Sequence, residues 1–267
     1  MIRLIGGAVI KFTIWPGIVF FRSPSNFFKA ESVNTILLFD SDFISPNRVS
    51  ISGRRLNHIR ATLKASTGDV LKVGKLNSYL GKGKIAVLSD SACEMEVSLT
   101  DAPPAPLPCT LILALPRPKS FKKALETAVV MGVKRVFIIE SWRVEKSYWS
   151  SPVLDFCTLN EIMYLALEQA CDTMLPDIQL RRRFKPFVED ELSAVIQDNL
   201  ALVAHPGVTE KMSSSAGQRV TLVIGPEGGF IPYEVNLLEK FGCRPVSFNE
   251  RILRVEHAVA AFLGRLF

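Results

Sequence analysis

Short apolar runs separated by turn-forming residues characterise residues 34–101. The runs cover residues 36–39, 70–73, 85–88 and 95–99, and Gly, Asn, Ser and Asp interrupt them. Short strands with frequent turn signals are typical of small, closed β structures. The pattern therefore predicts a small β-barrel in this part of the chain.

Longer segments alternate after residue 108. Apolar runs at residues 110–115, 136–139, 200–204, 220–224 and 246–248 indicate strands, some of them buried on both faces. Amphipathic segments between the runs predict helices: one capped by Ser120 and stopped by Gly132, then others over residues 159–171, 232–241 and 256–266. Such alternation predicts an α/β domain whose parallel sheet is covered by helices on both sides.

Residues 102–108, Ala-Pro-Pro-Ala-Pro-Leu-Pro, join the two patterns. Proline removes backbone donors and fixes φ, so this stretch is expected to be extended and semi-rigid. A chain of 267 residues also exceeds one typical domain. We therefore predict one domain over residues 34–101, a linker over residues 102–108 and a second domain over residues 109–267.

Residues 1–33 differ from the rest of the chain. Lys11 and Pro16-Gly17 interrupt their apolar stretch, so a membrane span, which needs about 20 apolar residues, is not predicted. Secretory or organelle signals lack support here, although the absence of an acid before Glu31 keeps targeting open. The segment is interpreted as an extension outside the folded domains, either disordered or read from a start site placed too far upstream.

Composition narrows the partners and the compartment. Hydrophobic residues make up 48% and charged residues 22%, which suits a compact globule. The formal charge of +6 favours a polyanionic partner. The cysteines have no paired spacing and no nearby His, so neither a metal site nor a disulfide framework is predicted, and a reducing cytoplasm fits best. They are Cys93, Cys109, Cys157, Cys171 and Cys243.

Three segments follow predicted strands, at the sheet edge where parallel sheets bind ligands. Gly225-Pro226-Glu227-Gly228-Gly229-Phe230 follows residues 220–224, and its glycines let main-chain N–H groups approach a ligand closely. The loop is neither a P-loop nor G-x-G-x-x-G, so neither a nucleoside triphosphate nor a dinucleotide is indicated. His205-Pro206-Gly207 forms a second turn at this edge, and Arg251-Ile252-Leu253-Arg254-Val255-Glu256 follows the last strand.

These motifs together resemble those of a known family. Ile224 to Phe230, then Glu234-Val235, Val246-Ser247 and Arg251-Ile252-Leu253-Arg254-x-Glu256 look like the signature of the small-subunit (16S) ribosomal RNA uracil-N3 methyltransferases of the SPOUT superfamily. The resemblance covers roughly residue 34 to the C-terminus and is strongest in the last fifty or so residues. It implies a PUA-like β-barrel followed by a trefoil-knotted α/β methyltransferase domain, and a homodimer.

The resemblance also implies an activity: methylation of N3 of a specific uridine in 16S ribosomal RNA, with S-adenosyl-L-methionine as the methyl donor. The uracil N3 must lose its proton to become nucleophilic, which calls for a base or for stabilisation of the anion. Glu256 is the candidate base, and Arg254 or Arg251 the candidate anion stabiliser. The alternative for all three is structural ion pairing. The implied partner is 16S rRNA or the small ribosomal subunit, in the cytoplasm, with no membrane partner.

The predicted binding residues fall into two sets. The cofactor set takes in the glycine loop, the second turn and the middle of the third segment: Ala204, His205, Pro206, Gly207, Ile224, Gly225, Pro226, Glu227, Gly228, Gly229, Ile252 and Leu253. Phosphates of RNA are expected to meet basic side chains of the barrel and of the first helix after the linker. These are Arg54, His58, Arg60, Lys64, Lys119 and Lys122, for which a solvated basic surface is the alternative.

Departures from the family pattern leave other functions open. The family commonly has Thr-Glu-Thr where this chain has Val255-Glu256-His257, so two hydroxyl groups near the proposed site are missing. One alternative is a protein that keeps the fold and binds RNA or the ribosome without methyl transfer. Another is an unrelated α/β nucleotide-binding enzyme, which would bind ATP or NAD instead of S-adenosylmethionine.

Overall fold

The computed structural model describes residues 34–267, so the interpretation of residues 1–33 as an extension lies outside the described residues. Two six-stranded sheets organise the described chain. The first has the strand order β1-β4-β5-β6-β3-β2, antiparallel except for the pair β1 and β4. Its strands are β1 (Ile36–Leu38), β2 (Phe43–Ser45), β3 (Arg48–Ile51), β4 (Val70–Lys75), β5 (Leu80–Leu88) and β6 (Cys93–Asp101).

One face of the first sheet forms a core of its own. On β4, Leu71 and Val73 are buried while the residue between them is exposed. On β6, Met95 is buried while the residue that follows it is exposed. This alternation is the period-two pattern of a sheet with one solvated face. Helix α1 (Gly53–Asn57), which continues into a π turn (His58–Thr62), contributes Leu56 and Ile59 to the core. The four predicted strands are confirmed, whereas closure of the sheet into a barrel stays a prediction.

The second sheet has the order β12-β10-β11-β7-β8-β9, and every pair is parallel. The predicted parallel sheet is therefore confirmed. Every residue of the central strands β7 and β11 is buried, as expected for strands covered on both faces. The strands are β7 (Cys109–Ala114), β8 (Arg135–Ile139), β9 (Asp177–Arg181), β10 (Leu200–Ala204), β11 (Val220–Ile224) and β12 (Arg244–Val246).

Helices connect these strands, and α2 packs against both α3 and α7. They are α2 (Pro118–Val130), α3 (Phe156–Ala170), α4 (Phe184–Pro186), α5 (Leu192–Ile196), α6 (Pro232–Lys240) and α7 (Val255–Leu266). Gly132, with φ of +87°, follows the end of α2 as predicted. The predicted cap at Ser120 is wrong: α2 begins at Pro118, whose ring already has a helical φ, and Arg117 is the N-cap residue.

One further expectation needs correction, and two features were not predicted. The last strand covers Arg244–Val246 and not residues 246–248, and it tolerates Pro245 because β12 is an edge strand. The opposite edge strand, β9, was not predicted. The helical turns from Phe184 to Ile196 were also missed, because a π turn (Phe187–Glu191) breaks them into pieces too short to show a helical period.

Backbone and side-chain contacts join the two sheets. Thr35 N donates to Glu168 O at 3.0 Å, and Asn77 N donates to Thr173 O at 2.8 Å. Residues 102–108 contain neither helix nor strand, and the described residues 34–267 lie in one compact unit. The domain boundaries proposed from the sequence therefore stay a prediction. No helix within residues 34–267 is long and apolar enough to cross a membrane.

Candidate functional site

A cavity of about 200 Å³ opens where the carboxyl ends of β10, β11 and β12 lie side by side. Parallel register explains the convergence, because Ala204 at the end of β10 pairs with both Ile224 of β11 and Val246 of β12. All three sequence segments singled out above reach this cavity. Its walls are Ala204, His205, Pro206, Ile224, Gly225, Pro226, Glu227, Gly228, Gly229, Ser247, Phe248, Asn249, Arg251, Ile252, Leu253, Val255, Ala258 and Phe262.

The glycine loop is tightly folded at Gly225, where an added Cβ would press on the loop's own backbone. A Cβ on Gly225 would lie 3.2 Å from the backbone N of Phe230 and 3.3 Å from the Cα of Gly229. Gly229 has φ of +68° and donates its N–H to Pro226 O at 2.8 Å, which closes the turn. The loop therefore presents main-chain atoms to the cavity.

Contacts from distant parts of the chain hold this loop in place. The Arg143 guanidinium, just after β8, donates to the carbonyl of Gly228. Glu227 Oε1 accepts the backbone N–H of Arg117 at 3.0 Å, which ties the loop to the start of α2. Sequence reasoning missed Arg143, although it follows a strand at the same carboxyl edge of the sheet, the one signal that could have found it.

A buried carboxylate forms hydrogen bonds to backbone groups next to the glycine loop. Glu234, in the first turn of α6, is only 3% exposed. Its two oxygens accept the backbone N–H groups of Trp142 at 2.8 Å and of Ile231 at 3.0 Å. The second bond is the helix-capping contact expected of an acid three residues after the N-cap residue. Glu234 thus links the segment after β8 to the end of the glycine loop.

A fixed positive charge lies beside Glu227. The pKa of the Arg117 guanidinium is raised, first by its hydrogen bond with Tyr148 and also by the negative charge of Glu227. Burial and a hydrogen bond with Glu145 raise the pKa of the Tyr148 hydroxyl. Arg117 therefore stays a cation and Tyr148 stays neutral at any pH near neutrality.

The second turn brings an unpartnered polar atom to the cavity. His205 N donates to Val246 O at 3.0 Å, which fixes the turn against β12. The ring atom Nδ1 of His205 is buried and has no hydrogen-bond partner in the structure. Buried polar atoms are nearly always paired, so this atom is available to a ligand. Gly207, in the left-handed region with φ of +86°, lies outside the cavity lining.

The third segment contributes apolar and charged groups. Arg251, Ile252 and Leu253 line the cavity, and Ile252 is 83% exposed at its rim. Arg254, the N-cap residue of α7, and Glu256, in its first turn, are not part of the lining. Glu256 Oε2 is nevertheless buried without a hydrogen-bond partner in the structure. Of the three proposed catalytic residues, the structure places only Arg251 in the cavity wall.

The basic residues expected to contact RNA are dispersed over the surface. Arg54 pairs with Glu168, with 2.8 Å between Nη1 and Oε2, and Arg60 pairs with Asp90 at 2.6 Å. His58 is half-buried and Lys64 is exposed. Lys119 and Lys122 are exposed on α2, close in sequence to the Arg117 contact with the glycine loop. Their roles in RNA binding stay predictions.

The arrangement suits a ligand that is held mainly through backbone and apolar contacts. Apart from Glu227 and Arg251, uncharged groups form the wall. Ligand pockets generally combine apolar walls with a few convergent polar groups, and here loop N–H groups and the free His205 Nδ1 can supply them. Within residues 34–267 no cluster of three or more metal-ligating side chains occurs.

Comparison with known proteins gives consistent matches. The model of a family described as the RNA methyltransferase domain matches residues 103–266. The chain is 26% identical over 235 residues to the ribosomal RNA small subunit methyltransferase E of Treponema pallidum, covering 85% of this chain and 88% of that protein. The protein of the same name from Synechocystis is 23% identical over 224 residues, covering 82% and 72%.

A solved structure shares the fold. The ribosomal RNA small subunit methyltransferase E of Neisseria gonorrhoeae, bound to S-adenosyl methionine, superposes with a TM-score of 0.68 at 19% identity. The match covers 86% of this chain and 95% of that one. The described chain therefore has the α/β fold found in that methyltransferase.

Proposed function

Because the chain belongs to the RNA methyltransferase domain family, we propose that it transfers a methyl group from S-adenosyl-L-methionine to N3 of a specific uridine in 16S ribosomal RNA. The curated relatives above are small-subunit ribosomal RNA methyltransferases, which supports this class of substrate. We propose uracil as the methylated base and N3 as the methylated atom because the sequence motifs resemble those of the uracil-N3 methyltransferases.

One observation carries the proposal: the glycine loop, the His205 turn and the segment around Leu253 converge in one cavity. They are separated by up to 48 residues in the sequence, and only the parallel order β12-β10-β11 brings them together. Carboxyl ends of adjacent parallel strands are where open α/β sheets bind their ligands.

The cavity fits the proposed cofactor on three counts. Gly225, Gly228 and Gly229 lie in the cavity wall without side chains, so a ligand can approach the backbone there. His205 Nδ1 is an unused buried polar atom. Apolar side chains, Leu253 and Phe262 among them, supply a dry wall. When bound, S-adenosylmethionine would supply an activated methyl group on a sulfonium, so the protein mainly has to orient the acceptor and exclude water.

Side chains of the chain itself would prepare the uracil. Glu256, whose Oε2 is buried and unpaired, would take the proton from N3 as the methyl group reaches that nitrogen. Arg251, in the cavity wall, and Arg254, at the N-cap position of α7, would stabilise the negative charge that develops on the uracil. The Glu256 carboxylate would then be a neutral carboxyl group that holds the proton from N3.

A second copy of the chain would complete the site. The cavity of about 200 Å³ is smaller than the roughly 300–1,000 Å³ typical of ligand pockets. Ile252 at its rim is 83% exposed, as is Trp142, at 80%, beside the glycine loop. A second chain packed against the rim of the cavity would bury these two side chains and enlarge the enclosed space. We therefore propose a homodimer.

The resemblance of the sequence motifs supports three further parts of the proposal. We propose that the second sheet belongs to a trefoil-knotted domain, that the first sheet forms a PUA-like barrel, and that the protein is cytoplasmic.

Incubation with unmodified substrate tests the function. Purified protein would be mixed with small ribosomal subunits, or with free 16S rRNA, lacking N3-methyluridine, together with S-adenosylmethionine. The RNA would then be digested to nucleosides for mass spectrometry. Appearance of N3-methyluridine is expected. RNA binding without methyl incorporation would instead support a protein that binds RNA without catalysis. Tight binding of ATP or NAD would support an unrelated nucleotide-binding enzyme.

A further inference from the structure

Three lysines stand side by side on the solvent face of the first sheet. Lys72 lies on β4, and Lys82 and Lys84 lie on β5. All three alternate with buried residues, so their side chains point away from the core of this sheet. Register places Lys72 directly opposite Lys82, and Lys84 is the next residue of β5 on the same face.

This placement is unfavourable for the isolated protein. Residues directly opposite on antiparallel strands have Cβ atoms only about 4.5–5.5 Å apart, and like charges there destabilise the sheet. No ion pair joins any of the three lysines to another residue of the part of the chain that the structure describes. Glu96 of β6 lies opposite Lys84, but it also lies opposite Arg48 of β3. Arg48 forms its ion pair with Glu94, at 2.7 Å, which leaves Glu96 to face Lys84, whereas no acid lies opposite Lys72 or Lys82 in the strand register.

A depression beside the lysines could receive an extended ligand. Its volume is about 680 Å³. Hydroxyl, amide and ammonium groups surround Val70, whose side chain is 57% exposed. The lining consists of Ser45, Asn47, Arg48, Val70, Lys82, Lys84, Glu96, Val97 and Ser98. The cationic residues of this lining, Arg48, Lys82 and Lys84, outnumber its one acid, Glu96, which suits contacts with the phosphates of a nucleic acid.

The basic segment predicted from the sequence is less available. Arg55 is held by Asp42, with 2.5 Å between Nη1 and Oδ2, and Arg54 is held by Glu168. Arg60 pairs with the exposed Asp90. A phosphate would have to displace a carboxylate to reach each of these arginines, whereas Lys72 and Lys82 have no carboxylate opposite them.

We propose that the outer face of β4 and β5 binds the phosphate backbone of RNA through Lys72, Lys82 and Lys84. The inference rests on the proposed function, which supplies ribosomal RNA as the partner. Bound phosphates would relieve the repulsion between Lys72 and Lys82, so the surface is stabilised by its ligand. An acidic protein of the ribosome is the rival partner, and the test separates the two.

The test compares two variants with the same net charge. One carries Lys72→Gln, Lys82→Gln and Lys84→Gln. The control carries Lys185→Gln, Arg219→Gln and Lys240→Gln, which are exposed and lie outside the first sheet. Fluorescence anisotropy would give the dissociation constants for protein-free 16S rRNA fragments, at several salt concentrations, and for assembled small subunits. Thermal unfolding would check the folding of both variants, and the lysine variant is expected to be at least as stable as the parent.

The lysine variant is expected to bind RNA at least about 10-fold more weakly, and its salt slope should fall by about 2–3, since each lost phosphate contact removes about 0.7–0.9 from the slope. The control should change affinity by less than about threefold. Equal losses in both variants, or none in the lysine variant, would overturn the proposal. So would a loss confined to assembled subunits with binding to bare RNA intact, which would identify a protein partner.

The measurements distinguish a wrong proposal for the lysine surface from a wrong proposal for the function. Methyl transfer by the parent protein, with unchanged RNA affinity in the lysine variant, would overturn only the surface. Weakened RNA binding in the lysine variant, with no methyl transfer by the parent, would support the surface and overturn only the enzymatic function.

Discussion

The guanidinium of Arg54 holds both carboxylate oxygens of Glu168, at 2.8 and 3.2 Å, and so joins α1 to α3 across 114 residues of sequence. Glu168 is 7% exposed and also accepts the backbone N–H of Leu37 at 3.4 Å. Arg54 was expected to meet RNA. Its observed partner indicates that it also fixes the first sheet to the helices of the second.

Removal of this ion pair should destabilise the folded protein. Arg54→Met would leave a buried carboxylate with weaker partners and lower the free energy of unfolding by about 1–3 kcal/mol. Arg60→Met is the matched control, because its partner Asp90 is 94% exposed and such pairs contribute less than about 1 kcal/mol. Urea unfolding of both variants measures the difference. Equal losses would show that the pair with Glu168 has no special role.

Arg143 is predicted to control cofactor affinity without touching the reacting atoms. Arg143→Met removes the donor to the Gly228 carbonyl, so the glycine loop loses one anchor. A lost charged hydrogen bond is worth about 1.5–3 kcal/mol, so the dissociation constant for S-adenosylmethionine should rise roughly 10-fold or more. Calorimetric titration measures it, with Lys240→Met, an exposed change on α6, as control. An unchanged affinity would show that the loop holds its shape without Arg143.

Glu256 is predicted to act on the uracil and not on the cofactor. Glu256→Gln keeps the shape of the side chain but cannot accept the N3 proton, so methyl transfer should slow by about 100-fold or more. Affinity for S-adenosylmethionine should stay within about twofold. Single-turnover methylation and calorimetry separate the two effects, and Glu239→Gln, exposed on α6, serves as control. Wild-type rates in Glu256→Gln would exclude the carboxylate as the base.

The cysteines should differ sharply in reactivity. Burial raises the pKa of the Cys93 thiol to about 11 and those of Cys109 and Cys243 to about 12. At pH 8 these thiols stay protonated and inert, since the thiolate is the nucleophile. Cys157 is exposed and should be alkylated first. A pulse of iodoacetamide followed by peptide mass spectrometry tests this order, and early labelling of Cys109 in native protein would contradict it.

The sequence predicted the centre of the second sheet better than its edges. Residues 200–204 and 220–224 match β10 and β11 residue for residue, because buried parallel strands are short apolar runs ended by turns. The edge strand β9 includes Arg181, and its charged residues hide the strand pattern. Edge strands are less hydrophobic than central strands, so the composition of the β9 residues did not indicate a strand.

The same contrast holds for the site. Glycine loops and strand ends are local signals, and they located most of the cavity wall. The contact between Arg143 and Gly228 joins residues 85 positions apart, and no local pattern encodes it. The repulsive pair Lys72 and Lys82 depends on strand register, which is fixed only when the strands pair.

The central claim, that the three converging segments bind a methyl donor, is tested most directly by titrating S-adenosylmethionine into the parent protein and into Gly225→Val by calorimetry. Gly264→Ala, where an added Cβ meets nothing within 4 Å, is the control. The account predicts saturable binding by the parent and by Gly264→Ala, and loss of binding by Gly225→Val while its unfolding temperature shows that it is folded. Equal affinity in all three proteins, or no binding by the parent, would contradict it.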